Sequence, residues 1–192
     1  MSALNLIDGS ETSLRRFLQT LAGVDQIGAQ ERAAMLATRS IKTTSKKWAI
    51  DMAISMIDLT TLEGADTAGK IRSLCSKALR PDPQDPSVPH VGAVCVYNDM
   101  VGIARNHLDS IGGQSIPVAA VATAFPSGRA SRKVKLQDTK DAISLGATEI
   151  DMVIDRGAFL SGQLGEVFDE IRAIKEICSD KAHLKVILET GE

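Results

Sequence analysis

Five short apolar segments recur along the chain from about residue 54, and the segments between them have helical periodicity. The apolar segments begin near residues 54, 91, 118, 149 and 183. The second of them is almost continuously apolar, as is typical of a strand that a parallel sheet buries on both faces. Strands alternating with helices in this way predict an α/β protein built on a parallel sheet with right-handed crossovers.

The first 50 residues have no strand-like pattern. We predict that they form a helical N-terminal extension (1–50) ahead of the α/β domain (51–192). Leucine and phenylalanine recur at helical spacing between residues 14 and 21. Basic residues are concentrated between Ile41 and Trp48, with Arg39 nearby, and we predict a solvated connector there. Residues 1–5 lack the basic and apolar regions of a signal peptide, so a cytoplasmic location is expected.

The fourth predicted strand alternates between apolar and acidic residues with period two. Its two faces are Ile150, Met152 and Ile154 on one side, and Glu149, Asp151, Val153 and Asp155 on the other. Three carboxylates on one face of an otherwise buried strand are costly unless that face lines a polar cavity. The strand therefore predicts a functional site. The fifth strand, predicted over 183–190, brings Lys185 and Glu189 onto one face.

Composition excludes several classes of function. Hydrophobic residues make up 44% of the chain and charged residues 24%, as in globular proteins, and the net charge of −2 provides no basic surface for nucleic acid or a membrane. No apolar run is long enough to span a bilayer. The three cysteines form no CxxC pair and are read as reduced thiols, and the three histidines lack metal-ligand spacing. We therefore expect no metal site.

Five collinear motifs resemble deoxyribose-phosphate aldolases, in the order and at the spacing of that family. They are IDLTTL at 57–62, GAVCVY at 92–97, VATAFPSG at 121–128, GATEIDMVI at 146–154 and LKVILETGE at 184–192. The resemblance covers roughly residues 50–192, and the helical extension resembles that of longer, eukaryote-type members. It implies a (β/α)8 TIM barrel, of which this chain would supply about five βα units.

The resemblance also implies an activity. Members of the family are class I aldolases, carbon–carbon lyases that cleave 2-deoxy-D-ribose 5-phosphate reversibly to D-glyceraldehyde 3-phosphate and acetaldehyde in deoxyribonucleoside catabolism. They work through a lysine Schiff base without a cofactor. The partner implied is a small phosphorylated sugar, and a homo-oligomer is compatible with the family. Such chemistry needs an amine nucleophile, a carboxylate that relays protons, and a phosphate pocket.

Family roles can be carried over to five residues. Asp151 matches the proton-relay aspartate, although a carboxylate that only orders its neighbours is the alternative. Asp58 and Thr60 match residues near the substrate. The alternative is that they only cap the end of the strand and form a turn. Cys95 matches a pocket-lining cysteine or, equally, a buried inert thiol. Lys185 is expected beside Asp151, either supporting the reactive centre or in an ion pair.

The ion pair is the interpretation that we favour for Lys185, and its expected partners are Glu149, Asp151 and Glu189. The same polar network is expected to include Asp155. These residues all lie on the polar face of the fourth or fifth predicted strand. None of them is the Schiff-base lysine of the family.

The chain departs from the family in one large respect. The Schiff-base lysine belongs to a Lys-Thr-Ser-Thr-Gly motif, and a second lysine belongs to a Lys-Ala-Ser-Gly-Gly motif; neither motif occurs in the 192 residues. A (β/α)8 barrel needs about 250 residues. We therefore expect a shortened, inactive aldolase. The alternatives are a non-catalytic half-barrel that serves as an interaction module and, more remotely, another Schiff-base aldolase such as a transaldolase.

Overall fold

The computed structural model describes residues 8–191, so the predictions on residues 1–5 and on Glu192 lie outside the described residues. The helices are α1 (Glu11–Gln19), α2 (Gln26–Ala37), α3 (Thr43–Ser55), α4 (Ala68–Leu79), α5 (Val101–Ser110), α6 (Arg132–Ser144), α7 (Arg156–Leu160) and α8 (Leu164–Cys178). The strands are β1 (Asp58–Thr60), β2 (Ala93–Tyr97), β3 (Val118–Ala122), β4 (Glu149–Val153) and β5 (His183–Ile187).

All five strands form one parallel sheet in the order β1-β2-β3-β4-β5, as the alternation of strands and helices predicted. Helices α4, α5, α6 and α8 cover its convex face. The core there includes the fully buried Ile71, Leu108, Ala142 and Ile174. Burial of this apolar surface is the main term that holds the helices to the sheet.

The sheet is strongly curved. Its edge strands are β1 and β5, which would lie about 19 Å apart in a flat five-stranded sheet. Nevertheless, Nζ of Lys185 on β5 lies 2.5 Å from Oδ2 of Asp58 on β1. Two side chains can span the concave face in this way only if the sheet curls as it does in part of a barrel.

One predicted element is wrong in part. Residues 43–48 of the predicted solvated connector are exposed, as predicted, but they form the first half of α3, which begins at Thr43 and runs to Ser55. Lysine, alanine and methionine favour helix there, and α3 also takes up the start of the strand predicted from Ile54, so that β1 begins only at Asp58. The predicted boundary after residue 50 falls inside α3. The division into two domains remains a prediction.

The N-terminal helices differ in how they contact the sheet domain. Helix α1 packs on α8 through the buried Leu14. In contrast, α2 and α3 bury no residue, and large apolar side chains such as Trp48 (64% exposed) lie open on them. No helix among residues 8–191 is both long and apolar enough to cross a membrane.

Candidate active site

Three carboxylates surround one ammonium group on the concave face of the sheet. Nζ of Lys185 lies 2.5 Å from Oδ2 of Asp58, 2.8 Å from Oε2 of Glu149 and 3.1 Å from Oδ1 of Asp151. We call these four residues the ion cluster. Asp151 is its most buried member, with 15% of its side chain exposed, and Asp58 the least, with 39%.

Strand alternation and parallel register bring the ion cluster together. Asp151 is the register partner of Lys185 across β4 and β5. Glu149 projects from the same face as Asp151 because the two residues are two positions apart on one strand. Asp58 reaches the cluster from the other edge of the sheet because the sheet is curved.

Burial and the charges of the ion cluster shift the pKa values of Asp151 and Lys185. Burial raises the pKa of Asp151 above its ordinary value and the charge of Asp58 adds to the rise, although the ammonium of Lys185 opposes it. Burial lowers the pKa of Lys185, but hydrogen bonds to Asp58 and Glu149 and the charge of Asp151 outweigh burial and raise it. The raised pKa favours the ammonium form of Lys185.

Each oxygen of the Asp151 carboxylate has a partner in the sheet. Its Oδ1 is buried and forms an ion pair with Nζ of Lys185 at 3.1 Å. Its Oδ2 is 3.7 Å from the Sγ of Cys95, which donates a weak hydrogen bond. A carboxyl group whose pKa is raised by burial can take up a proton and return it at a higher pH than an exposed aspartate can.

The thiol of Cys95 is neutral. Burial raises its pKa to about 12, and the charge of Asp151 adds to the effect. The residue packs with Ala119 and Val121 in a small apolar cluster on the concave face. Cys95 thus has the environment of an inert thiol, and lining of a substrate pocket remains a prediction for it.

Thr60 and Cys95 are register partners on β1 and β2. The hydroxyl of Thr60 donates to the backbone oxygen of Asp58 at 2.8 Å, so it reaches the ion cluster only through the backbone. The structure thus brings Asp58, Cys95 and Lys185 around Asp151 and leaves Thr60 at the margin. Their roles in binding or catalysis remain predictions.

Two acidic residues predicted for the polar network lie elsewhere. Strand β4 ends at Val153, and Asp155 is the N-cap of α7, where Oδ1 accepts from the backbone N of Ala158 at 2.9 Å. Glu189 lies beyond the end of β5 and pairs with Arg156 at 2.8 Å. Strand alternation predicts the direction of a side chain only while the strand lasts, and both residues lie past that point.

The sequence did not single out a second polar group behind the carboxyl ends of the strands. Asn98 follows β2, Thr123 follows β3 and Asp138 lies on α6. Asp138 accepts hydrogen bonds from both of the others. No local pattern marks such a group, because its members are 15 or more residues apart in the chain.

Residues 8–191 contain no group of three or more histidine, cysteine or acidic side chains arranged to hold a metal ion. The ion cluster has three carboxylates, but a lysine ammonium lies among them within 3.1 Å of each.

Comparison with known proteins identifies the family. A family model described as DeoC/LacD family aldolase matches residues 52–192. The chain belongs to this family. The match begins inside α3 and covers every strand of the sheet, including all four residues of the ion cluster.

The relatives are aldolases of about twice this length. Human deoxyribose-phosphate aldolase is 41% identical over 172 residues, which are 84% of this chain and 53% of the human protein. A crystal structure of a candidate deoxyribose-phosphate aldolase from Coccidioides immitis is 32% identical, with a TM-score of 0.64 over 73% of this chain and 51% of that one. The chain spans about half the length of the curated relatives that it matches.

The fold extends to more distant structures. The deoxyribose phosphate aldolase from Aeropyrum pernix is 23% identical, with a TM-score of 0.61 over 73% of this chain and 54% of that one. At that identity the likeness concerns the fold alone. The five-stranded curved sheet is thus a partial barrel that superimposes on about half of an aldolase chain.

Proposed function

We propose that this chain provides the proton-transfer part of an active site that cleaves 2-deoxy-D-ribose 5-phosphate reversibly to D-glyceraldehyde 3-phosphate and acetaldehyde. The observation that carries the proposal is the Asp151 carboxyl group, which is the most buried member of the ion cluster, has a pKa raised by that burial, and lies on the concave face with Oδ1 3.1 Å from Nζ of Lys185 and Oδ2 3.7 Å from Sγ of Cys95. Family membership and the human relative named for this substrate support it.

The chemistry assigns Asp151 a specific task. A lysine amine condenses with the C1 aldehyde of the sugar and releases water, which gives an iminium ion that can accept electrons. A base then takes the proton of the C3 hydroxyl, the C2–C3 bond breaks, and its electron pair moves into an enamine. Asp151 would take that proton, directly or through a water, and return it to the enamine carbon before hydrolysis frees acetaldehyde.

Lys185 has a different task in this proposal. Because its pKa is raised, its ammonium group has no lone pair for attack on an aldehyde. Its charge instead holds Asp58, Glu149 and Asp151 together and limits how far the pKa of Asp151 rises. The Schiff-base lysine would come from outside the 192 residues, since the family motif that carries it does not occur among them.

The first test uses the chain alone. Incubation with 2-deoxy-D-ribose 5-phosphate and borohydride, followed by mass spectrometry, should show no reduced adduct, and a coupled assay for glyceraldehyde 3-phosphate should show no turnover. Borohydride makes a lysine–aldehyde linkage permanent, so it detects even a slow nucleophile. An adduct on Lys185 would show that the nucleophile is within this chain and would overturn the assignment.

The second test supplies the part of the barrel that this chain does not match. Residues 1–191 are fused to the C-terminal part of human deoxyribose-phosphate aldolase, and the folded chimera should cleave the substrate. Asp151→Asn should lower turnover by roughly 100-fold or more, which is the usual contribution of a general acid–base group. Asp155→Asn is the matched control, because this nearby carboxylate caps α7 and does not contact the ion cluster.

Two outcomes would contradict the proposal. One is a folded chimera without activity. The other is an Asp151→Asn chimera that keeps activity within threefold of the parent. The wider expectations, a cytoplasmic role in deoxyribonucleoside catabolism and assembly into a homo-oligomer, belong to the same proposal; the Aeropyrum pernix aldolase is a tetramer.

A second candidate function is a non-catalytic half-barrel that serves as an interaction module. Its support is that β1 and β5 are edge strands among the described residues, and that Leu188 beside β5 is 65% exposed. Open strand edges favour pairing with another chain. Sedimentation at low micromolar concentration should then show a discrete folded oligomer, whereas aggregation or partial unfolding would count against the module.

A further inference from the structure

Thr123 has an unusual backbone conformation directly after β3. Its φ is +60°, in the left-handed region that β-branched residues rarely adopt. Its side chain is fully buried. A conformation of this kind persists only where the surroundings stabilise it, and two sets of hydrogen bonds do so here.

The first set joins Thr123 to the end of β4. The backbone N of Val153 donates to Oγ1 of Thr123 at 2.9 Å. The same hydroxyl lies 2.8 Å from the backbone oxygen of Val153 and 2.7 Å from that of Ala122, and its proton serves one of these acceptors at a time. Because β3 leaves the sheet at Ala122, the hydroxyl replaces the backbone partners that Val153 would otherwise find in a neighbouring strand.

The second set holds Thr123 in place. Oδ2 of Asp138 accepts from the backbone N of Thr123 at 2.9 Å. The other oxygen of Asp138 accepts from Nδ2 of Asn98 at 2.6 Å, and that same amide also donates to the backbone oxygen of Asp138 at 2.8 Å. Helix α6 carries Asp138 and the turn after β2 carries Asn98, so these two elements hold the Asp138 carboxylate in place. The carboxylate in turn holds Thr123.

The loop after Thr123 also closes onto the end of β4. Gly128, with φ of +69°, lies so near that a Cβ atom would come within 2.4 Å of the backbone oxygen of Ile154. Two contacts, the Thr123 hydroxyl and the Gly128 backbone, therefore hold Val153 at the end of β4 and Ile154 directly after it from the β3 side. Asp151 lies two residues before the first of these contacts.

We propose that Thr123 and Asp138 are positioning residues for Asp151, because they anchor the carboxyl end of β4 and so set how deeply the Asp151 carboxylate sits in the ion cluster. The groups that face this carboxylate are Lys185 on β5, Asp58 on β1, Glu149 on its own strand and Cys95 on β2. The inference rests on the proposed function only for the use of Asp151 in proton transfer. The placement of the Asp151 carboxylate can be tested without substrate.

The experiment is an NMR titration of Asp151 in the full chain with 13C-labelled aspartate carboxyl groups, the signal being assigned with Asp151→Asn. In Thr123→Val the buried N–H and C=O of Val153 lose their partner, so the strand end loosens and water reaches Asp151. The expected midpoint is at least 0.5 pH unit below that of the wild type, because burial is the main cause of the raised pKa. A rise of the same size would mean that Asp151 has moved away from Lys185 and would equally support positioning.

The matched control is Thr139→Val. Thr139 is also fully buried, but its hydroxyl donates only to the backbone of Lys135 within α6. It should lower the melting temperature without moving the Asp151 midpoint. Thr123→Ser keeps the hydroxyl and should titrate like the wild type.

Asp138→Asn provides the second variant if Thr123→Val does not fold. It weakens the acceptor for Thr123 and should shift the midpoint in the same direction, whereas Asp141→Asn on the exposed side of α6 should not. A midpoint within 0.5 pH unit of the wild type in both folded Thr123→Val and Asp138→Asn would overturn the inference. Loss of the proposed catalysis in the chimera, in contrast, would leave this titration result unaffected.

Discussion

Replacement of Lys185 by methionine tests how the ion cluster is held together. Methionine keeps most of the length of the side chain and removes the charge. Three carboxylates then face one another without the ammonium group that lies 2.5–3.1 Å from each of them. We expect the folded state to be destabilised and the carboxyl group of Asp151 to hold its proton to a higher pH.

The size of the effect follows from partial burial. A fully exposed ion pair contributes about 0–1 kcal/mol, and breaking a fully buried one costs about 3–5 kcal/mol. The Lys185 side chain is 32% exposed and its partners are 15–39% exposed. An intermediate loss of about 2 kcal/mol is therefore expected at pH 7, which lowers the melting temperature of a chain of this size by about 4–8 °C.

The pH dependence distinguishes this explanation from a simple loss of packing. The ammonium of Lys185 lowers the pKa of Asp151, so its removal raises that pKa further. A carboxyl group whose pKa is raised in the folded state stabilises the fold below its unfolded pKa, and that contribution is lost as the pH rises through the folded pKa. The deficit of Lys185→Met should therefore be small near pH 3 and large at pH 7.

The assay is urea unfolding followed by far-ultraviolet circular dichroism at several pH values, with NMR titration of Asp151 beside it. Lys181→Met is the control, because Lys181 is exposed and its side chain contacts no carboxylate among the described residues; a change below about 0.5 kcal/mol is expected. Equal stability of Lys185→Met and wild type at pH 7, or a deficit that does not change with pH, would refute the reasoning.

Two further predictions concern other parts of the molecule. Lys135→Met should cost about 3–5 kcal/mol in urea unfolding, because Nζ of Lys135 (2% exposed) lies 2.6 Å from Oε1 of Glu170 and its loss leaves a buried carboxylate unpaired. The control, Lys140→Met on the exposed side of the same helix, should cost less than about 0.5 kcal/mol, and similar losses in the two variants would contradict the prediction. Cys95 should react with a thiol reagent at pH 8 only as fast as the protein opens, because its buried thiol has a pKa of about 12; alkylation faster than local unfolding measured by hydrogen exchange would contradict this.

Much of the sheet and its helices could be predicted, because strand alternation and helical periodicity can both be read from residues close together in the chain. The five strands, their parallel order and the common face of Glu149 and Asp151 follow from alternation along the chain. The approach of Lys185 to Asp151 needs one more step, the assumption that consecutive strands pair, and the register of β4 with β5 confirms it. The contact with Asp58 needs the curvature of the sheet, which no local pattern encodes.

The errors share a physical origin at the ends of elements. Asp155 and Glu189 continue the alternation in the sequence, but the chain leaves the sheet before each of them. Asp155 then accepts from a backbone N of α7, a role that its residue type favours, and Glu189 adopts a left-handed backbone and pairs with Arg156. Alternation predicts a face, and hydrogen bonding at the strand end decides where that face stops.

Helix α3 was missed for a different reason, because its sequence pattern is ambiguous along the whole element. Its apolar residues lie on more than one side, and Trp48, Ile50 and Met52 are each more than 40% exposed among the described residues. The apolar pattern therefore could not be assigned to a buried face, and the basic residues favoured a connector. Intrinsic helix propensity is the factor that distinguishes the two, and it outweighs the charge pattern here.

Stability alone does not account for the ion cluster. A half-buried lysine among three carboxylates contributes little net free energy, because the desolvation of four charges offsets most of their attraction, and apolar residues of similar volume would serve the fold as well or better. The concave face already has an apolar alternative in the packing of Cys95, Ala119 and Val121 beside the cluster. The proposed proton transfer accounts for a charged group kept at that cost, because burial raises the pKa of Asp151, its most buried carboxylate. Lys185→Met would then weaken the fold only moderately while displacing the pKa on which the proposed chemistry depends.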